Sequence, residues 1–171
     1  SQRFGFNLVT GVGEMSETAA RLAVERTVDA GKPMRILYVS DFDPAGRSMP
    51  VAVARKIEHR IYDAGIEADI TLQPVILTPG QCEEFRLPRT PIKEKEKRAA
   101  KFEYRFGTGA TELDALEALH PGKFAETIET EVCRYIDPTL GGRVNTAEWE
   151  VHHEMTSIEE SLREKYADEI E

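Results

Sequence analysis

Two aspartates one residue apart, Asp41-Phe42-Asp43, run into Pro44-Ala45-Gly46 and are the side chains best placed to do chemistry. In extended chain, residues i and i+2 point the same way, so both carboxylates aim at one point. Two adjacent anions repel, and a hard divalent cation relieves that repulsion. An all-oxygen ligand set favours Mg²⁺ or Mn²⁺ over zinc. The alternative is an Asx-type turn, in which an aspartate caps the next helix and no metal is involved. Glu14 follows the Gly11-Val12-Gly13 turn and is a candidate third ligand or general acid/base. Glu112-Leu113-Asp114 offers a further contact, with Glu112 as accessory ligand. The alternative there is a pair of exposed acids on an amphipathic segment.

These carboxylates need strands that end beside them. Arg35 to Ser40 is the clearest strand, a continuous apolar run that suits a central parallel strand covered on both faces. Phe4 to Thr10 reads as a short buried strand and Asp69 to Leu77 as a third. Ala110 to Leu113 reads as a fourth, although Leu113 to Leu119 reads equally well as helix. Ser16 caps a first helix that runs to about Ala30, with Ala20, Ala23, Val24 and Val28 on its apolar side. Glu17, Arg21 and Glu25 form a charge ladder on another side. A second helix spans about Ser48 to Ala64, with Met49, Val53, Ile57 and Ile61 on one stripe, and Pro79 to Phe85 is a short third.

Strand and helix alternate, which predicts an α/β fold: a central, mostly parallel four-stranded sheet flanked by helices. In such a sheet ligands gather outside the carboxyl ends of the strands, where Glu14, Asp41, Asp43 and Glu112 all fall. From Lys123 the pattern is helical, and Met155, Ile158, Leu162 and Tyr166 form a stripe. The expected division is a metal-binding catalytic domain over 4–120 and a helical C-terminal extension over 121–171. The extension packs on that domain or on a partner.

Charge is uneven along the chain. The formal net charge is -9 over 171 residues, which taken alone argues against nucleic acid as a partner. Yet residues 86–105 hold 8 basic and 3 acidic side chains, whereas residues 106–171 hold 5 basic and 16 acidic. The basic stretch includes Arg89, Lys93, Arg98, Lys101 and Arg105, with Phe85, Phe102 and Tyr104 in or beside it. It reads either as a solvated helix face or as a phosphate-contacting strip. The alternation in Lys93-Glu94-Lys95-Glu96-Lys97 weakens it by partial cancellation.

Together these motifs resemble the Toprim domain, the metal-binding α/β domain of topoisomerases, primases and certain nucleases. Such a domain has a Glu after its first strand, matched by Glu14, and a D-x-D after a later one, matched by Asp41 and Asp43. Val39-Ser-Asp-Phe-Asp-Pro-Ala-Gly46 is similar to the D-x-D-P-x-G form. That form belongs to the topoisomerase VI A subunit, the meiotic double-strand-break transesterases and the Wadjet nuclease subunit. The Leu87-Pro…Lys93…Arg98 stretch with Glu112-Leu-Asp114-Ala-Leu also looks like uncharacterised phage and bacterial Toprim proteins. The resemblance covers about residues 4–120. It implies a Rossmann-like Toprim fold and Mg²⁺- or Mn²⁺-dependent chemistry on DNA phosphodiesters. Asp41, Asp43, Glu14 and Glu112 would then be metal ligands, Glu14 also acting as general acid/base. Arg47, Arg89, Lys93 and Arg98 would neutralise DNA phosphates. In the topoisomerase branch a tyrosine on a separate winged-helix domain attacks the phosphate, and no catalytic-tyrosine motif is found here. Hydrolytic nicking needs no tyrosine.

The expected class is therefore a metal-dependent DNA nuclease or topoisomerase-like domain. Its partners are DNA and either a missing N-terminal DNA-binding domain or a partner subunit, with a homodimer left open. The chain starts at Ser1 without Met and reads as a trimmed or internal fragment. No apolar run approaches the roughly 18 residues of a membrane span. Two cysteines, Cys82 and Cys133, fit no disulfide framework and read as buried small hydrophobes, so a cytoplasmic setting is the default.

Two other functions compete. A small-molecule phosphohydrolase of haloacid-dehalogenase type also carries D-x-D after a strand, but expects Thr or Val where this chain has Ala45. A non-catalytic DNA-binding or assembly module would keep the fold without the metal. A dinucleotide fingerprint at Gly11–Ser16 lacks its third glycine, and no acid falls over Met34 to Leu37. His59, His120, His152 and His153 read as structural or solvated, and Trp149 as a core or docking anchor.

Overall fold

A computed structural model describes residues 6–10 and 15–166. Helix α1, Glu17–Ala30, starts where the sequence places it, with the Ser16 hydroxyl accepting from the Ala19 N–H at 3.1 Å. Its buried side is Ala20, Val24 and Thr27, while Val28 is 46% exposed. Thr27 can enter the core because its hydroxyl donates to the Ala23 carbonyl at 2.9 Å. Of the expected charge ladder, Arg21 pairs with Glu25. Glu17 turns away from it to pair with Arg60, at 3.2 Å.

Strands β1, Met34–Tyr38, and β2, Ile70–Pro74, pair in parallel, with Met34 opposite Ile70 and Tyr38 opposite Pro74. Helix α2, Pro44–Ala64, makes the crossover that a parallel pair requires. Alternate residues of the sheet serve two apolar clusters. Ile36, Tyr38, Ile70 and Leu72 pack with Ala20, Val24, Val53 and Ile57. Leu37 and Val39 pack instead on a cluster that contains Phe42, Ile76, Leu77, Phe102 and Leu116.

The expected four-stranded sheet is not what forms. Among the described residues the sheet has two strands. Residues 6–10 carry no regular structure, and Leu8 and Val9 are 75% and 69% exposed. At the other end, Ala110 and Thr111 make only single antiparallel bridges, to Thr90 and Phe42 respectively. They cannot extend into a strand because helix α5, Leu113–Leu119, begins two residues later. The helical reading of that segment is the one realised, and the fold is mixed α/β.

Helix α3, Pro79–Glu84, opens on a reciprocal cap. Thr78 Oγ1 accepts from the Gln81 N–H, and Gln81 Oε1 accepts from the Thr78 N–H. It closes with two backbone bonds, Leu87 N–H to the Cys82 carbonyl at 3.0 Å and Arg86 N–H to the Glu83 carbonyl at 3.1 Å. That is the Schellman pattern, with Cys82 and Leu87 in apolar contact. The residue that takes the left-handed conformation is Arg86, at φ 50°, where glycine is usual. Left-handed backbone costs an L-residue about 1–2 kcal/mol, partly offset by glycine's greater freedom when unfolded. Arg86→Gly should therefore raise stability by about 0.5–1 kcal/mol, read as a higher urea midpoint at unchanged slope. A lower midpoint would show that the arginine side chain holds more than its backbone strains.

Three further helices follow α3 and flank α5 in the chain. They are α4, Ala99–Phe106, α6, Lys123–Cys133, and α7, Leu140–Lys165. Phe124 and Ile128 of α6 join the core, so the compact unit over residues 7–135 includes that helix. Cys82 is buried as expected, but Cys133 is exposed at the end of α6. Residues from Ile136 on belong to a second unit. No residue of α7 is buried, and Met155, Ile158 and Leu162 are all at least half exposed. Trp149 is 61% exposed and stacks on His153, ring centroids 4.6 Å apart. No helix among the described residues is long and apolar enough to cross a membrane.

Candidate metal and phosphate site

The middle residue of Asp41-Phe42-Asp43 is the anchor. Phe42 has no exposed surface, and its ring meets Phe102 and Phe106 edge-on at 5.2 and 5.4 Å. Its backbone is tied to Thr111 in both directions, at 2.8 and 3.0 Å. Both neighbouring aspartates are only half-buried.

Each aspartate also has a structural task. Asp43 is the N-cap of α2, accepting from the Gly46 N–H at 2.5 Å, with Pro44 at the first helical position. The Asx alternative is thus realised at Asp43, and α2 starts four residues before Ser48. Asp41 Oδ1 accepts from the Leu113 N–H at 2.8 Å and so serves the start of α5. The second oxygen of each carboxylate has no hydrogen-bond or ion-pair partner among the described residues.

The turn between them requires its glycine. A Cβ on Gly46 would overlap the Asp41 carbonyl oxygen and lie 2.9 Å from Ser40 Oγ. Pro50, inside α2, has no N–H to give to the Gly46 carbonyl. Ser40 supplies the substitute, its hydroxyl donating to that carbonyl at 3.2 Å. Neither Ser40 nor Thr111 stands out in the sequence, yet both set where the carboxylates lie.

Glu112 is the residue before Leu113 and is exposed, with no side-chain capping bond. The Asp41–Leu113 bond brings it to the same end of the unit as Asp41. Glu14 lies outside the described residues. Among those described, no three His, Cys, Asp or Glu side chains gather. Mg²⁺ in general takes one or two carboxylates and completes its shell with water and substrate phosphate.

Three of the four expected phosphate contacts lie around the aromatic cluster and the start of α2. Arg47 lies over the Phe106 ring at 5.7 Å and Arg89 over the Phe42 ring at 4.6 Å. Arg89 also donates to the Gly109 and Phe106 carbonyls, so part of its role is to hold that turn. Arg98 forks onto Glu96 and donates to Ser48 Oγ at 2.7 Å. Lys93 is exposed. Arg105, in the basic stretch but not expected at the site, lies over the Phe106 ring at 5.2 Å.

Hydrogen bonds depress several carboxyl groups. Hydrogen bonds from the Arg98 side chain and backbone take Glu96 from 4.5 down to about 2. The Arg35 guanidinium, bidentate at 2.9 Å to each oxygen, lowers Asp69, and the Thr139 hydroxyl and N–H lower Asp137. A carboxyl with a lowered folded pKa adds stability above its unfolded value and loses it as pH falls through the folded one. Urea midpoints should therefore hold steady down to about pH 5 and decline toward pH 2, with Glu96→Gln flattening the decline. A midpoint unchanged from pH 5 to 2 would show that these pairs contribute nothing. No protein-family model, no curated protein and no solved structure matches the chain.

Proposed function

We propose that the chain is a Toprim-type domain acting on DNA phosphodiesters with Mg²⁺ or Mn²⁺. It would do so by nicking or cleavage, or as the metal-binding part of a topoisomerase VI-like enzyme. One observation carries this reading: two half-buried aspartates flank a fully buried phenylalanine, each with one oxygen bonded to backbone and one uncommitted. Asp41 and Asp43 would hold the ion, with Glu112 accessory and Glu14 as further ligand or general acid/base. When bound, the cation supplies Lewis-acid polarisation of a phosphoryl oxygen and an activated water.

The chain's own residues do the rest. Phe42 and Thr111 keep the two carboxylates in place before substrate arrives, which spares reorganisation during reaction. Arg47, Arg89, Lys93 and Arg98 would offset phosphate charge, Arg98 least because Glu96 already pairs with it. DNA, joined by a further domain or subunit, is the proposed partner, and a second copy of the chain remains part of the proposal. The test is conversion of supercoiled plasmid to open circle with Mg²⁺ or Mn²⁺, against a chelator control. No metal-dependent conversion sinks the nicking reading. Turnover of a simple phosphomonoester would favour the phosphohydrolase instead. DNA binding with no metal binding by calorimetry would favour a non-catalytic module.

A further inference from the structure

Helix α4 divides its aromatic residues between two faces. Phe102 and Phe106, one turn apart, point into the core, with ring centroids 5.2 Å apart. Tyr104 points the other way and is 95% exposed. Lys101 and Arg105 lie three residues before it and one after, both exposed. Lys101 shares a helix face with both, by the i, i+3 and i, i+4 rule.

The acids of this stretch are largely turned aside. Glu96 is held by Arg98. Glu103, the only acid within α4, is half-buried, and its Oε1 accepts from the Gly109 N–H at 3.0 Å. Of the three acids among residues 86–105, that leaves Glu94 facing solvent without a bonded partner. These contacts leave the basic excess of the stretch unchanged, and neither Lys101 nor Arg105 is ion-paired among the described residues.

Tyr104 is the most exposed large apolar side chain among the described residues, and it stands on a basic helix face. Unpaired bases offer the matching chemistry, because every base has a π-face and its flanking phosphates carry the charge. Duplex DNA keeps its bases stacked and gives such a tyrosine no partner. We propose that the outer face of α4 is a single-stranded nucleic-acid contact, in which Tyr104 stacks on an unpaired base and Lys101 and Arg105 meet the neighbouring phosphates.

The site deepens the DNA reading above and rests on it for the choice of DNA over RNA, but its test needs neither metal nor turnover. Fluorescence anisotropy in chelator, at low salt, measures binding of a thymidine strand of about 20 nucleotides, the matching uridine strand, and a duplex of equal length. Tyr104→Ala should weaken single-strand binding about 5- to 150-fold and duplex binding less than about 2-fold, with Tyr104→Phe close to wild type. Lys101→Gln should weaken both and lower the single-strand salt slope by about 0.7. Tyr104→Ala binding as tightly as wild type, or losing single strand and duplex equally, overturns the proposal. So does wild type that binds no single strand. Sensitivity to Tyr104 with either the DNA or the RNA strand upholds the contact, and the tighter of the two names the source. Failure of nicking with Tyr104-dependent binding intact would sink the catalytic reading alone.

Discussion

Phe42→Ala should remove about 3–5 kcal/mol of folding stability. The ring is fully enclosed, touches two other aromatic rings edge-on, and carries Arg89 over its face. Truncation forfeits the transfer energy of the ring and leaves a cavity. It also removes the base on which the Arg89 guanidinium rests. The neighbouring walls are helices fixed elsewhere in the core, which limits collapse into the space. Phe42→Leu should cost less, about 1–2 kcal/mol, because it keeps most of the volume. Urea denaturation of both variants measures the pair. A loss under about 1 kcal/mol for the alanine would mean that Phe42 is not the anchor described. The same variant should weaken any metal-dependent activity without touching a carboxylate, since the aspartates on either side take their positions from it.

The second large effect separates charge from capping. Asp41→Asn with Asp43→Asn keeps an oxygen that can accept from the Leu113 and Gly46 N–H groups. Stability should change by less than about 1 kcal/mol, because asparagine caps helices about as well as aspartate. Two negative charges are lost, however, and with them the proposed hold on a hard cation. Because Lewis-acid stabilisation is worth several kcal/mol, nicking should fall by at least about 10²-fold. Initial rates at saturating Mg²⁺ report this, with circular dichroism as the control on folding. A double variant that nicks as fast as wild type would sink the assignment of these aspartates. Asp41→Ala with Asp43→Ala is the less clean test, since each alanine also removes a cap worth about 1 kcal/mol.

The local parts of the fold were legible and the non-local parts were not. Ser16 and Gly31 bracket α1 through bonds within one turn, and α1 and α3 stand close to where they were expected. Asp43-Pro44 carries an equally good helix start. The sequence offers that cap as the alternative to a metal ligand, and the helix was expected only from about Ser48. The fourth strand failed for a different reason. Ala110 and Thr111 do adopt extended pairing, but their partners are Thr90 and Phe42, and no pattern in a single sequence announces such pairs. Thr27 took the core place expected of Val28 because burial follows geometry first and hydrophobicity second, provided the hydroxyl finds an acceptor. At the candidate site Asp41 and Asp43 stand out by type and spacing, whereas the anchoring role of Phe42 between them does not. A large apolar residue inside a polar motif marks which way the motif must face.

The bond from the Leu113 N–H to Asp41 joins residues 72 positions apart. Closing so long a loop is entropically costly and slow relative to forming β1, α2 and their local caps. Asp41 therefore gains this partner only once the chain through α5 has been made and docked. A nascent chain that has not yet supplied Thr111 holds Asp43 in its cap but leaves Asp41 unplaced.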